Sequence, residues 1–392
     1  METANFIDGS FAAGRGDAIK LINPRTGAGI ATVPSASTDQ IDAAVMAARR
    51  AFPAWSETTP SERATVLLQI ADRIEADGDT LAGLEALNCG KPFHCVLGDE
   101  IPAAADCFRF FAGAIRSMTG PLAGEYLAGH TSFVRRDPVG VVAAIAPWNY
   151  PLMMLAWKLA PSLAAGNTVV LKPAEHTPLT ALRFATLVAD ILPKGVLSIV
   201  TGDGPGVGAA LIGHPQVDMI SLTGDVGTGK AVLNAAATTI KRTHLELGGK
   251  APVLVFDDAD MDAAVDAIRN FGFYNAGQDC TAACRVYVQS GIHDAFAQKL
   301  ADAVKTLRYD CADDADNEIP PLITAKQRDR VDGFVQRARA RDGVDVLCGG
   351  AVADGGGNYY QPTLIANVTQ DDEIVRKEVF GPVVTIVPRH RN

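Results

Sequence analysis

VGVVAAIAPWNYPLMMLAWKLAPSLAAGNTVVLK (residues 139–172) decides the fold class of this chain. Residues 141–146 form an apolar run that predicts a buried strand, and residues 152–165 predict a helix that ends at Gly166. Thr168–Lys172 predicts the next buried strand. Strands that alternate with helices of this length indicate an α/β fold with a parallel sheet covered on both faces.

The same alternation continues through residues 180–222, and polar or glycine-rich turns follow the predicted strands. Such sheets bind ligands at the carboxyl ends of their strands. The turns at residues 202–208 and 224–229 are rich in glycine, but their spacing differs from GxGxxG. On spacing alone, phosphate binding and simple flexible turns are equally good interpretations.

Length, charge and cysteine content limit the class of protein. A chain of 392 residues is expected to form two or more domains. The net charge of −10 argues against nucleic acid and anionic membranes as partners. Seven cysteines without a paired CxxC spacing indicate reduced thiols, no metal site and a cytoplasmic protein. The first residues show no signal-peptide pattern, which favours the same location.

Cys280 is the strongest candidate for chemistry. It lies in the polar run Gly277-Gln278-Asp279-Cys280, and Glu246 lies upstream beside two glycines. A cysteine with an acidic residue available indicates a thiolate nucleophile and a carboxylate that handles protons. The alternative is a small buried apolar residue, which is the role of most free cysteines.

Four motifs together give the chain a resemblance to a known family. They are PWNYP at residues 147–151, KPAE at 172–175, ELGGK at 246–250 and GQDC at 277–280. In this order and at these separations they resemble the aldehyde dehydrogenase superfamily. The run at residues 274–285 is most similar to bacterial γ-aminobutyraldehyde dehydrogenases.

The resemblance implies a covalent mechanism. Cys280 would attack the aldehyde carbon, and Asn149 would donate a hydrogen bond to the resulting oxyanion. Glu246 would activate the water that hydrolyses the thioester. From the residues alone, Asn149 is an ordinary turn residue and Glu246 a structural carboxylate.

The resemblance also implies NAD as the cofactor. Glu175 would accept hydrogen bonds from the adenosine ribose and repel a 2′-phosphate, which favours NAD over NADP. The implied cofactor-binding residues are Ile145, Pro147, Trp148, Lys172, Glu175, Gly204, Gly208, Thr223, Gly224, Asp225, Leu247, Gly248, Glu378 and Phe380. Asp225 stands where the family usually has Ser, and a carboxylate beside the pyrophosphate predicts weaker NAD binding.

The predicted reaction is oxidation of 4-aminobutanal to 4-aminobutanoate in putrescine degradation. An ammonium-bearing substrate needs an anionic or aromatic partner, for which Asp279, Asp99 and Glu100 are candidates. Betaine aldehyde or another small aldehyde is an alternative substrate. Two hypotheses without catalysis also stay open: a truncated, inactive NAD-binding remnant, and a structural protein with buried thiols.

The predicted organisation is a Rossmann-type NAD-binding domain at residues 1–118 and 139–247, with a second α/β catalytic domain at 248–392. Residues 119–138 are expected to form an oligomerisation hairpin, as in a homotetramer or dimer. Family members continue beyond residue 382, so the catalytic domain is expected to lack its C-terminal part. The strand at residues 383–387 is then expected to lack neighbours and leave apolar surface exposed.

Overall fold

The alternation of strands and helices from residue 139 onward forms the centre of a seven-stranded sheet. The computed structural model describes residues 1–120, 123–312 and 314–389. These residues form two units: one contains residues 1–21, 31–84 and 96–246, and the other contains 22–30, 85–95 and 247–392. No helix among the residues described has the length and apolar character needed to cross a bilayer.

The strands, in chain order, are β1 Asn5–Ile7, β2 Ser10–Ala12, β3 Ala18–Ile22, β4 Gly29–Pro34, β5 Ala123–Leu127, β6 His130–Phe133, β7 Val141–Ile145, β8 Thr168–Lys172, β9 Leu197–Ile199, β10 Met219–Gly224, β11 Arg242–Leu247, β12 Pro252–Val255, β13 Arg285–Gln289, β14 Asp345–Cys348, β15 Thr363–Ala366 and β16 Val383–Arg389. The helices are α1 Thr38–Ser56, α2 Pro60–Ala76, α3 Gly78–Cys89, α4 Phe93–Cys95, α5 Ile101–Ser117, α6 Pro151–Ala164, α7 Leu179–Val188, α8 Ala209–Gly213, α9 Val226–Ala237, α10 Met261–Phe273, α11 His293–Val304, α12 Ala325–Arg339 and α13 Glu373–Arg376.

The first unit is built on the sheet β11-β10-β7-β8-β9-β1-β2. Strands β10, β7, β8 and β9 are parallel, whereas β1 pairs antiparallel with β9 and β2. Every residue of β8 is buried, as the continuous apolar run at 168–172 predicts. The parallel α/β arrangement predicted for this region is therefore present.

Two helices of the first unit begin at capping boxes. Ser37 accepts from the backbone N–H of Gln40, whose side chain accepts from Ser37 in return. Thr59 and Glu62 form the second box, with Pro60 in the first helical turn. Both boxes satisfy backbone donors that would otherwise lack partners at the helix start.

The short antiparallel pair β5 and β6 lies within the predicted hairpin at residues 119–138. Its described side chains are mostly exposed. Residues 121 and 122 of that prediction lie outside the described residues.

The second unit is built on the sheet β12-β13-β16-β15-β14. Strand β16 pairs in parallel with β13 on one side and β15 on the other, and its first five residues are buried. The prediction that this strand lacks neighbours and exposes apolar surface is wrong. The five apolar or β-branched residues 383–387 make it a central strand, with Val384 and Ile386 in the core.

Candidate active site

The loops at the carboxyl edge of the first sheet bring together the predicted cofactor residues of that unit. Ile145, at the end of β7, pairs with Lys172 on β8 and with Leu222 on β10. Because these strands are parallel, the turns that follow them lie at one edge of the sheet. The loop after β7 contains Pro147 and Trp148, and the loop after β9 leads to Gly204 and Gly208. Strand β8 ends at Lys172, with Glu175 in the loop that follows. Strand β10 ends with Thr223 and Gly224.

Asn149 is buried in the turn between β7 and α6. Pro151 occupies the first turn of α6, where its fixed φ suits the helix and its missing N–H is not needed. The turn therefore holds Asn149 at the carboxyl edge of the sheet, where ligands of such sheets bind.

Lys172 joins two of the loops. Its buried ammonium donates to the carbonyl oxygens of Pro173 and Gly202, each at 2.9 Å, and lies 3.9 Å from the Glu175 carboxylate. Burial lowers the pKa of Lys172, although the charges of Glu175 and Asp203 oppose that shift. The interaction leaves Glu175 half-buried at the edge, as a ribose-binding carboxylate requires.

The two glycine-rich turns are each closed by an aspartate. Asp203 accepts from the backbone N–H groups of Gly206 and Val207, and a short π-helical turn covers Gly204–Gly208. Asp225 is the N-cap of α9 and accepts from the N–H of Gly227 at 2.7 Å. Partial burial favours a higher pKa for Asp225, but its hydrogen bonds with Thr228 and Gly227 outweigh this and hold the pKa below its usual value.

Glu246 lies on β11 with its side chain largely exposed. Its carboxylate oxygen Oε1 is 3.3 Å from Nε2 of His244, the residue two positions earlier on the same face of the strand. Lys158 on α6 is buried, and the same carboxylate is the charge that opposes the lowering of its pKa. Burial nevertheless brings the pKa of Lys158 to about 7.

Cys280 is exposed in the second unit, just beyond a strained turn. Asn275, Ala276 and Gly277 all have positive φ, between 49° and 66°. Left-handed backbone is costly at the first two, because both carry a Cβ. Such strain persists only where the surroundings hold the chain, and it frequently marks functional sites.

The buried side chain of Gln278 helps to fix the strained turn at residues 275–277 through hydrogen bonds. Its amide donates to the carbonyl of Asn275 at 3.0 Å and to that of Pro321 at 3.3 Å. Its carbonyl accepts from the backbone N–H of Ile323 at 2.9 Å. Gln278 therefore fixes the segment that carries Cys280 to the loop before α12.

The three predicted substrate carboxylates have different environments. Asp279 accepts from both the backbone N–H and the hydroxyl of Thr281, each at 2.7 Å, so this oxygen closes a local turn. Glu100 is buried and Asp99 exposed, both on the turn Val96–Glu100. Their roles toward a substrate stay predictions.

Glu378 and Phe380 lie on a loop that α12 holds from one side. Arg330 donates to the carbonyl of Glu378 at 2.8 Å, and Gln327 donates to that of Phe380 at 2.8 Å. Phe380 has a positive φ of 58°, so its backbone depends on such contacts. The Glu378 carboxylate also has a backbone partner, because Oε1 accepts from the N–H of Gly249 at 3.3 Å.

Gly248 allows this approach of Glu378. A Cβ at Gly248 would overlap the carboxylate of Glu378. The ELGGK motif at 246–250 therefore has glycine where the Glu378 side chain needs the space. Leu247 is the last residue of β11.

A small pocket in the second unit is lined by Cys280, Cys284, Lys250 and Glu378, among others. The Nζ atom of Lys250 is buried and has no hydrogen-bond partner among the described residues. Burial lowers the pKa of Lys250, and the nearby Cys284 opposes that shift. A thiol and a carboxylate from two separate segments of the chain thus both line this pocket.

Several residues of these sites were not singled out by the sequence motifs. Gln327 and Arg330 lie on an ordinary amphipathic helix, and His244 lies on a strand without a recognisable pattern. Lys158 offered one signal, because a lysine within the apolar helix at 151–164 is unusual.

Residues 11–391 match the model of the aldehyde dehydrogenase family. The chain belongs to this family. The four motifs predicted this membership, which is now confirmed.

Three named aldehyde dehydrogenases are similar to this chain in sequence or structure. The chain is 39% identical to a betaine aldehyde dehydrogenase of Mesorhizobium japonicum, over 95% of this chain and 77% of that protein. A crystal structure of betaine aldehyde dehydrogenase from Staphylococcus aureus in complex with NAD+ is 37% identical, with a TM-score of 0.96, over 99% of this chain and 78% of that one. An NAD+ complex of an aldehyde dehydrogenase from Bacillus cereus is 37% identical, also with a TM-score of 0.96, over 100% of this chain and 80% of that one.

These findings correct the finer predictions. Two of these three relatives are named betaine aldehyde dehydrogenase, and none of the three is named for 4-aminobutanal. They give no support to a truncated, inactive remnant, and family membership removes the purely structural hypothesis.

Proposed function

We propose that this aldehyde dehydrogenase oxidises a small aldehyde, first of all betaine aldehyde, to the carboxylic acid with NAD+ as hydride acceptor. The observation that carries the proposal is the exposed thiol of Cys280 on a segment that buried Gln278 holds in place. An accessible thiol on a fixed backbone suits a nucleophile, because its attack needs a defined direction.

Each proposed step uses a residue of the chain. The Cys280 thiolate forms a bond to the aldehyde carbon, and the π electrons of the carbonyl move to its oxygen, giving an oxyanion that the Asn149 amide stabilises. The oxyanion collapses to a thioester as hydride leaves for NAD+, which becomes NADH. Glu246 takes a proton from the water that attacks the thioester, and the C–S bond breaks, releasing the carboxylic acid and restoring the Cys280 thiolate.

Cofactor choice is proposed to depend on Glu175. Its half-buried carboxylate lies 3.9 Å from Lys172, where it can accept from ribose hydroxyls. A 2′-phosphate on the same ribose would meet this negative charge, which favours NAD+ over NADP+.

The substrate proposal rests on the names of relatives, and one sequence observation favours a competitor. The run at residues 274–285 is similar to γ-aminobutyraldehyde dehydrogenases, which supports 4-aminobutanal. Both aldehydes carry a positive charge, but only a primary ammonium can donate hydrogen bonds. A site built for a quaternary ammonium relies instead on aromatic faces and diffuse negative charge.

The test is NADH formation by the purified chain with betaine aldehyde, 4-aminobutanal and uncharged butanal. We expect the highest kcat/KM for betaine aldehyde and the loss of turnover in Cys280→Ala. Cys348→Ala, a half-buried thiol on β14, is the matched control and should retain turnover. Equal activity in Cys280→Ala, or no NADH from any aldehyde, would contradict the proposed mechanism; a higher kcat/KM for 4-aminobutanal would contradict only the substrate.

A further inference from the structure

Four polar side chains form a continuous row in the first unit, from the interior to Glu246. Nζ of Lys158 on α6 donates to Oγ of Ser221 on β10 at 3.2 Å. Ser221 Oγ lies 3.1 Å from Nδ1 of His244 on β11. Nε2 of the same ring lies 3.3 Å from Oε1 of Glu246.

The buried end of the row sets the direction of its hydrogen bonds. While Lys158 is protonated, its Nζ can only donate, so the Ser221 oxygen accepts from it and keeps its own proton to donate. Nδ1 of His244 lies 3.1 Å from that oxygen and can accept the proton. A ring that accepts at Nδ1 carries its proton at Nε2, the nitrogen that faces Glu246.

The Glu246 carboxylate is largely exposed, so a defined partner matters for its orientation. Its side chain is 60% exposed and that of His244 is 52% exposed, while Lys158 and Ser221 are buried. A general base must hold one orientation toward the water that it activates. An N–H donor whose own tautomer is fixed from the interior supplies that restraint, as outer partners do for metal-bound histidines.

We propose that His244 is a positioning residue for Glu246 and that Ser221 fixes the tautomer in which His244 donates to the carboxylate. The inference rests on the proposed role of Glu246 as the base in thioester hydrolysis. Substitution of His244 is therefore expected to affect thioester hydrolysis alone. The earlier steps, thiol attack and hydride transfer, do not use the carboxylate.

The test follows the acyl adduct on Cys280 through a single turnover, by rapid acid quench and mass measurement of the intact chain. His244→Leu and Ser221→Ala are expected to slow the decay of the adduct on the order of fivefold, a typical effect of losing one exposed charge-assisted contact. His244→Gln is expected to stay within about twofold of the parent, because its amide N–H can replace the Nε2 donor. The rate of adduct formation should be the same in all four proteins.

Unchanged adduct decay in His244→Leu would overturn the inference. Equal slowing in His244→Leu and His244→Gln would also overturn it, since the donor would then be irrelevant. Thermal unfolding midpoints of the variants verify that each remains folded.

Glu246→Gln in the same experiment separates this inference from the proposed function. Unchanged decay in Glu246→Gln would contradict the role of the base itself. No adduct in the parent chain would contradict the Cys280 mechanism. Slow decay in Glu246→Gln with normal decay in His244→Leu would overturn the positioning role alone.

Discussion

The Asp225 carboxylate accepts hydrogen bonds from both the backbone N–H and the hydroxyl of Thr228, at 3.1 Å and 2.6 Å. This pair gives a structural reason for the aspartate that departs from the family pattern. The carboxylate closes the N-terminus of α9, whose first N–H groups lack partners inside the helix. Its negative charge also suits the positive end of the helix dipole.

Loss of this cap is expected to destabilise the first unit. Asp225→Ala removes the acceptor and should lower the free energy of unfolding by about 1 kcal/mol. Asp225→Ser keeps a capping oxygen and should stay close to the parent. Urea unfolding followed by circular dichroism measures both, and equal loss of stability in the two variants would contradict the capping role.

The same carboxylate is expected to weaken NAD+ binding. Its lowered pKa keeps it ionised at neutral pH, beside the turn where the resemblance puts the cofactor pyrophosphate. Asp225→Asn keeps a capping oxygen but removes the charge, so we expect NAD+ affinity to rise several-fold at low salt. The gain should shrink as added salt screens the repulsion. Titration calorimetry at two ionic strengths tests this, and an affinity unchanged by the substitution at both would refute it.

Local sequence signals predicted the elements of the fold better than they predicted the site. Capping boxes such as Ser37 with Gln40 depend on residues three apart, and the buried strand Thr168–Lys172 depends on its own apolar run. Both are visible in sequence because the interacting residues are neighbours. The same locality explains why the two strands and the helix between residues 141 and 172 begin and end close to their predicted bounds.

Contacts between distant segments could not be predicted in this way. Gln278 contacts the carbonyl of Pro321 and the N–H of Ile323, more than forty positions away along the chain. The central place of β16 depends likewise on β13 and β15, which no motif of its own specifies. The motifs identified Cys280, but the residues that hold its backbone required the structure.

Burial of Lys158 is expected to make stability depend on pH. Its pKa of about 7 in the folded chain is below the ordinary value near 10.5, so the unfolded chain binds more protons between these values. Stability contributed by this group therefore rises with pH across that window, by at most about 1.4 kcal/mol per unit. Lys158→Met removes the contribution.

The stability difference, parent minus Lys158→Met, should accordingly increase from pH 7 to pH 9. Denaturant midpoints at pH 7, 8 and 9 measure it, with Lys230→Met as an exposed lysine control on α9. A difference that stays constant over this range would show that Lys158 titrates normally.

Gly277 is expected to be intolerant of a side chain. Its φ of +66° is unfavourable for alanine, and a Cβ there would overlap the backbone carbonyl of Gly381. Backbone cannot move aside as the end of a flexible side chain can. Gly277→Ala should therefore lower stability by about 2 kcal/mol or more and displace the segment that carries Cys280, with a loss of turnover.

Gly291→Ala is the matched control, because no heavy atom outside its immediate neighbours lies within 4 Å of a Cβ at that position. Thermal unfolding and NADH formation are compared for the two variants and the parent chain. We expect Gly291→Ala to resemble the parent in both measurements. Parent-like stability and turnover in Gly277→Ala would mean that the left-handed turn before Cys280 can relax without consequence, so that its geometry would not position the nucleophile.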